Sequence, residues 1–312
     1  MKYLISIVGP TGVGKTELSL RLARHFQTEV LSGDSRQVYR HMNIGTAKVS
    51  PEITAEIPHH FIDILDPSEE FDAAQFAEQA DQLVERLHAS GREVVIVVGG
   101  STLYMNALWH GLDDMPKVPK EIRTQLNQEL STLGLPELVN QLKAHDPTTW
   151  ERIDKHNPAR VIRALEVFRA SGKPISFFRE NKPEKTVPYR HIKVGLTTER
   201  SVLYERINHR VLQMMEAGLL QEVDTLLNMG YTSISPGLRS IGYQELIAFR
   251  AGKHSLETAI KLIQRNSRRY AKRQLTWYRK EADIVWMESG TETAENVKKW
   301  VEIGYPYKKS TD

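Results

Sequence analysis

Eight residues constrain this chain more than any others: Gly9-Pro10-Thr11-Gly12-Val13-Gly14-Lys15-Thr16. They satisfy the pattern G-x-x-x-x-G-K-[ST] at every fixed position. Ahead of them Tyr3 to Val8 reads as a short buried strand. Behind them Glu17 to Phe26 carries Leu18, Leu22 and Phe26 at four-residue spacing, a helical stripe. Strand, glycine turn and helix together make a polyphosphate cradle. Glycines let backbone N–H groups turn inward, and the helix start adds partial positive charge. Lys15 adds a full charge, and the Thr16 hydroxyl is suited to hold Mg²⁺. The plainer alternative is an ordinary glycine turn. Loops of this pattern also bind nucleotides such as ATP, so the motif identifies a polyphosphate and not a reaction.

The rest of the chain alternates in the same way at first. Glu29 to Leu31 is predicted to be a second strand, ending near Ser32-Gly33-Asp34. Phe71 to Ser90 is predicted as a helix, and Val94 to Val98 as a buried strand stopped by Gly99-Gly100. Such alternation implies a parallel sheet covered on both faces. From about Pro116 to Pro188 only helical stripes occur: Ile122, Leu126 and Leu130; Leu138 and Leu142; Val161, Leu165 and Phe168. The polar run from Glu180 to Lys185 reads as a linker. Strands return at Ile192 to Leu196 and Asp283 to Trp286. The expected fold is α/β, a phosphate-loop (P-loop NTPase-like) parallel-sheet core interrupted by an all-helical domain. The core would take residues 1–115 and 190–312, the insert residues 116–189. Hydrophobic residues make up 40% of the 312, enough for a packed core. With 0 cysteines, disulfides, thiolate metal sites and a cysteine nucleophile are excluded, and a reducing compartment fits. No apolar run is long enough to span a bilayer and no leader pattern is visible, so a cytoplasmic protein is expected.

Two features narrow the chemistry. An NTP hydrolase usually has an acidic residue at the end of a buried strand to help hold the metal; Val94 to Val98 ends instead in Gly99-Gly100-Ser101. A carboxylate does stand at the end of the second strand. In a doubly wound sheet strand ends converge on the ligand crevice, so Asp34 is expected to face the loop as a general base, or else to cap a turn. Second, Arg265 to Lys280 holds seven basic residues and no acidic ones, with Tyr270, Trp277 and Tyr278 interleaved. Cations for phosphates and rings for bases suit an RNA partner; a solvated helix face with inward aromatics is the alternative. Arg160 and Arg163 form a smaller basic pair in the insert. His59-His60 has no partner cluster and suits a structural or substrate contact better than a metal.

Taken in order, these motifs resemble the tRNA dimethylallyltransferase (tRNA isopentenyltransferase) family across nearly the whole chain. The match runs through Gly9 to Thr16, Asp34-Ser35-Arg36-Gln37-Val38-Tyr39, Met42 to Lys48, Pro58-His59-His60 with Asp63 to Pro67, and Gly99-Gly100 with Leu103-Tyr104. It continues through Asn157 to Arg160, Arg163 to Val167, Ile241-Gly242-Tyr243 and Lys272 to Arg279. The resemblance implies transfer of a dimethylallyl group from dimethylallyl diphosphate to N6 of adenosine 37, beside the anticodon of a tRNA, with Mg²⁺ held at Thr16. Residues 9–16 would then hold the diphosphate. Asp34, Thr16, Lys15 and Arg210 match the family's catalytic positions, Asp34 as base and Arg210 as a diphosphate-neutralising cation. The anticodon stem-loop would be met by Asp34, Ser35, Arg36, Gln37, His59, Ser101, Arg123, Arg239, Gly242 and Tyr243. Further contacts would come from Ala159, Arg160, Val161, Ile162 and Arg163 in the insert, and from Lys272, Arg273, Gln274, Trp277 and Arg279. Ser101 stands where the family commonly has threonine, keeping the hydroxyl and losing the methyl. A monomer without membrane attachment is expected. The rival readings are a phosphate-loop nucleoside or polynucleotide kinase with Asp34 as base, and a non-catalytic RNA-binding protein.

Overall fold

The computed structural model describes residues 1–111, 115–180 and 185–304. In chain order the first elements are β1 (Tyr3–Val8), α1 (Lys15–Phe26), β2 (Val30–Ser32), α2 (Pro51–Glu56), β3 (His59–His60), α3 (Ala73–Ala89), β4 (Val94–Val98) and α4 (Thr102–His110). Five helices follow: α5 (Lys120–Leu133), α6 (Leu135–His145), α7 (Pro147–Arg152), α8 (Pro158–Ser171) and α9 (Ile175–Glu180). The chain then returns through β5 (Arg190–Thr197), α10 (Arg200–Glu216), α11 (Leu219–Asn228), α12 (Tyr243–Arg250), α13 (Leu256–Tyr278), β6 (Ile284–Glu288) and α14 (Thr291–Glu302).

The six strands form one parallel sheet in the order β3-β2-β4-β1-β5-β6. Because all run the same way, the segments after β1, β2, β4 and β5 emerge on one edge. The central strands β1 and β4 are buried apart from the half-buried Val98, and apolar apart from Ser6, as a sheet covered on both faces requires. Leu4, Val8, Val95 and Val97 join one core layer with Phe76, Tyr104, Tyr243 and Tyr278. Ile5, Ile7, Ile96 and Val194 join the other with Leu18, Leu22, Leu203 and Ile207. The alternation of faces along each strand follows from the period of two.

The chain divides into two compact units, Met1–Trp109 with the segment from Val187 onward, and His110–Thr186. The second unit therefore begins six residues before the expected boundary at 116 and ends three before 189. It holds its own core of Leu126, Leu138, Leu142, Val161, Ile162 and Leu165. Those are the helical stripes, turned inward. Val161 and Ile162 were expected on RNA, and this is corrected: they are 0% and 6% exposed. On the same helix Ala159 and Arg160 are exposed. Arg123, expected to reach RNA, and Arg163 both pair with the buried carboxylate of Glu166. That pairing offsets the cost of burying Glu166. Of the expected linker, Asn181 to Glu184 lie outside the described residues.

Candidate active site

The turn after β1 has the backbone its glycines permit: Gly9, Gly12 and Gly14 take φ of 140°, 82° and 104°. At Gly9 a Cβ would also stand 2.6 Å from the Leu196 carbonyl oxygen, so only glycine fits there. Gly14 caps α1 without a side-chain hydrogen bond. The first N–H groups of α1 therefore have no capping side chain and offer themselves to an anion. Lys15 folds back, its Nζ donating to Gly9 O at 3.1 Å and Pro10 O at 2.8 Å. Burial pulls its pKa down to about 8; the negative charge of Asp34 works against that shift and the positive charge of Arg210 reinforces it.

Asp34 is brought to this loop by the way β2 and β4 end. Gly33 N–H donates to Val98 O at 2.7 Å and Ser101 N–H to Gly33 O at 3.3 Å. A Cβ on Gly99 would lie 2.1 Å from the Gly33 oxygen, so the two backbones touch. Ser101, expected to contact the acceptor, is buried; its Oγ accepts the Ser35 N–H at 2.8 Å and donates to Ser35 Oγ at 3.1 Å. Asp34 Oδ1 accepts the Arg36 N–H at 2.8 Å. The carboxylate thus caps its own turn through one oxygen, and no hydrogen bond engages Oδ2 among the described residues. The turn cap expected of Asp34 is therefore present, and the same carboxylate lines the hollow at the phosphate loop.

Two hollows meet at this point. One, of about 470 Å³, is lined by Thr11, Gly12, Gly14, Lys15 and Thr16 together with Arg206, His209 and Arg210. The other, of about 640 Å³, has apolar walls from Phe71, Ile207, Val211, Met214, Leu219 and Ile263. Thr11, Asp34, Thr46, Ala47 and Arg210 line both. Arg210 makes no hydrogen bond among the described residues. Burial lowers its pKa and the charge of Asp34 opposes this. A half-buried guanidinium with its donors unused is an anion receptor. Tyr270 lines the apolar hollow, its pKa pushed up to about 12 by burial and then by Asp34, so its hydroxyl stays protonated.

The loop carrying Thr46 and Ala47 is pinned at both ends. The Glu222 carboxylate on α11 accepts the N–H groups of Asn43 and Ile44 at 2.8 Å each, that of Gly45 at 3.1 Å, and the Tyr243 hydroxyl at 2.6 Å. Four donors fill an acceptor-only group. Lys48 holds the other end, donating to Tyr39 O and to Asp63. Gln37 was expected among the contacts to the anticodon stem-loop. Its Nε2 instead donates to Thr46 O and Ala47 O at 3.2 and 3.3 Å, while its Oε1 accepts from Ser32 Oγ at 2.8 Å.

Tyr243 and Gln274 were expected on RNA, and burial corrects both. Tyr243 is 0% exposed beneath Gly45, where a Cβ would stand 2.5 Å from its ring. Gly242 is buried at the hollow's wall. Gln274 is buried between Thr11 and Gly100. Trp277 packs on Trp109 and Tyr278, with ring centroids at 6.5 and 5.2 Å. His59 sits in β3 with Nδ1 2.7 Å from Ile57 O and does not line either hollow. In contrast Arg265, Arg269, Lys272, Arg273 and Arg279 are exposed along α13 and its end. Arg36, Arg239 and Arg273 stand on the wall of the apolar hollow. Arg206 and Tyr270 were missed as site residues; Arg206 had a signal, standing four residues before Arg210 on one helix face.

Fold and site together define an α/β protein with a phosphate-loop core, in which a cationic hollow at the loop adjoins an apolar one and Asp34 lines both. The family model described as IPP transferase matches residues 37–281. A tRNA dimethylallyltransferase 2 of Geotalea uraniireducens is 46% identical over 285 residues, covering 91% of this chain and 92% of that protein. The tRNA isopentenylpyrophosphate transferase of Bacillus halodurans superposes with a TM-score of 0.71 at 39% identity, covering 97% and 96% of the two chains. A eukaryotic dimethylallyltransferase, crystallised acting on tRNA, gives a TM-score of 0.84 at 27% identity, over 99% of this chain and 82% of that one. The chain belongs to the IPP transferase family.

Proposed function

We propose that this protein transfers a dimethylallyl group from dimethylallyl diphosphate to N6 of adenosine 37 of a tRNA, giving N6-isopentenyladenosine. The observation that carries the reading is that Asp34 and Arg210 line both the cationic and the apolar hollow. A diphosphate seated on the loop N–H groups places its allylic carbon at that junction. N6 attacks the carbon, the C–O bond breaks, and the electron pair leaves with the diphosphate. Lys15 and Arg210 stabilise that growing charge in a site where they are already oriented. The amine proton passes to Asp34. The walls formed by Ile207, Val211, Met214 and Leu219 keep water from the electron-poor allyl carbon. An adenine reaches such a chamber only by leaving its stack.

Mg²⁺ suits these residues. It takes oxygen ligands, keeps several waters and is commonly held by one or two protein groups with substrate phosphates. The exposed Thr16 hydroxyl lines the phosphate hollow beside Asp34, and the described residues hold no cluster of three or more acidic or histidine side chains able to cage a metal alone. Bound there, Mg²⁺ would neutralise charge on the diphosphate.

The exposed cations of α13, with Arg160 in the second unit, support an RNA acceptor. A tRNA acceptor fits a cytoplasmic protein, and a single chain supplies the whole junction, which suits a monomer. Incubation of labelled dimethylallyl diphosphate with tRNA, without ATP, tests the reading: label enters tRNA. Transfer of a γ-phosphate from ATP to the nucleic acid, with no prenylation, would overturn it in favour of a kinase.

A further inference from the structure

Gln274 lies on the helix whose outer side carries Arg265, Arg269, Lys272 and Arg273, yet its own side chain is 3% exposed. Its Oε1 accepts the Thr11 N–H at 2.9 Å and its Nε2 donates to the Gly100 carbonyl at 2.8 Å. The Thr11 N–H and the Pro10 C=O belong to one peptide plane. The Pro10 oxygen is held by the Lys15 ammonium at 2.8 Å. A single plane in the middle of the phosphate loop is therefore gripped at both ends, by Gln274 and by Lys15. The amide is also wedged in place: a Cβ on Gly100 would stand 2.3 Å from its nitrogen. If this plane rotated, its carbonyl would turn toward the anion and Lys15 would lose an acceptor.

We propose that Gln274 is a positioning residue for the diphosphate cradle, and not an RNA contact. It fixes the Pro10–Thr11 peptide so that the loop meets the anion with donors and Lys15 keeps its orientation. This deepens the proposed function and rests on its reading of the loop as the diphosphate site. It also places a donor-side residue on the helix whose other face carries the exposed cations.

The test compares the parent with Gln274→Met, which keeps length but makes neither hydrogen bond, and Gln274→Glu. The glutamate can accept from Thr11 but needs a proton to donate to Gly100. Inorganic pyrophosphate binding by calorimetry, binding of an anticodon stem-loop RNA, and exchange of the Thr11 amide by NMR are measured on each. Gln274→Met is expected to weaken pyrophosphate about tenfold, the net effect of one or two hydrogen bonds. Its RNA affinity stays within about twofold and its Thr11 amide exchanges faster. Gln274→Glu is expected to regain pyrophosphate affinity, relative to the parent at each pH, as pH falls from about 8 to 6. A residue with a purely architectural role gives no such profile. Unchanged pyrophosphate affinity in Gln274→Met, or a fall in RNA affinity with pyrophosphate binding intact, would overturn the proposal. Failure of the parent to bind pyrophosphate would count against the proposed function instead. The brace has its own readout in Thr11, and it fails if that amide exchanges equally fast in parent and variant.

Discussion

Raising the pH should weaken donor binding through Lys15. Its pKa in the free protein is about 8, lowered chiefly by burial. A bound diphosphate favours the charged ammonium and raises that pKa. The sign follows: below pH 8 the ammonium is already present, and above it each binding event must take up a proton. With a bound-state pKa well above 9, affinity scales with the protonated fraction. That fraction falls from about nine-tenths at pH 7 to about one-tenth at pH 9, a loss of about tenfold, or about 1.4 kcal/mol. The terminal phosphate of dimethylallyl diphosphate ionises near pH 6, outside this window. Calorimetric titration without tRNA, at pH 7, 8 and 9, reads the effect directly. In Lys15→Arg, which does not titrate here, the dependence should shrink below about twofold. Because Asp34 raises the Lys15 pKa, Asp34→Asn should move the fall to lower pH. A flat profile in the parent would refute the argument.

Further outcomes are expected. Asp34→Asn should lose turnover by about 10²- to 10⁴-fold while retaining tRNA binding, checked by single-turnover assay and filter binding; loss of binding instead would make Asp34 an RNA contact. Arg273→Ala and Arg279→Ala should each flatten the salt dependence of tRNA affinity by about one phosphate equivalent, with unchanged slopes returning these residues to a solvated face. Gly45→Ala drives a methyl into the Tyr243 ring and should cost about 1–3 kcal/mol by denaturant unfolding; a neutral result would mean the loop yields freely. Leu126→Ala, in the core of the second unit and 0% exposed, should cost about 2–5 kcal/mol on the transition of that unit.

The parts of this fold written locally were legible in the sequence. β1, the glycine turn and α1 follow from an apolar run, a fixed-position motif and a four-residue stripe, and β4 from five branched residues ended by glycines. β2 is displaced by one residue from its expected place because three residues carry little pattern, and β3, only two residues long, gave none. Asp34 could be placed because strand ends share an edge. What distance in sequence hides was misplaced. Gln274 meets Thr11 across 263 residues, and Tyr243 meets Glu222 only after α11 and α12 have packed. For Val161 the apolar stripe pointed inward while the family resemblance implied an RNA contact, and burial followed the stripe.

The central claim is that an aspartate and a phosphate loop, meeting at one junction, prenylate an adenine. Mass analysis of nucleosides from a defined tRNA, incubated with dimethylallyl diphosphate and Mg²⁺ but no ATP, tests it most directly. The account requires a five-carbon addition to N6 of adenosine 37 with the parent protein and none with Asp34→Asn. An unmodified adenosine with the parent, or equal modification by the variant, would contradict it.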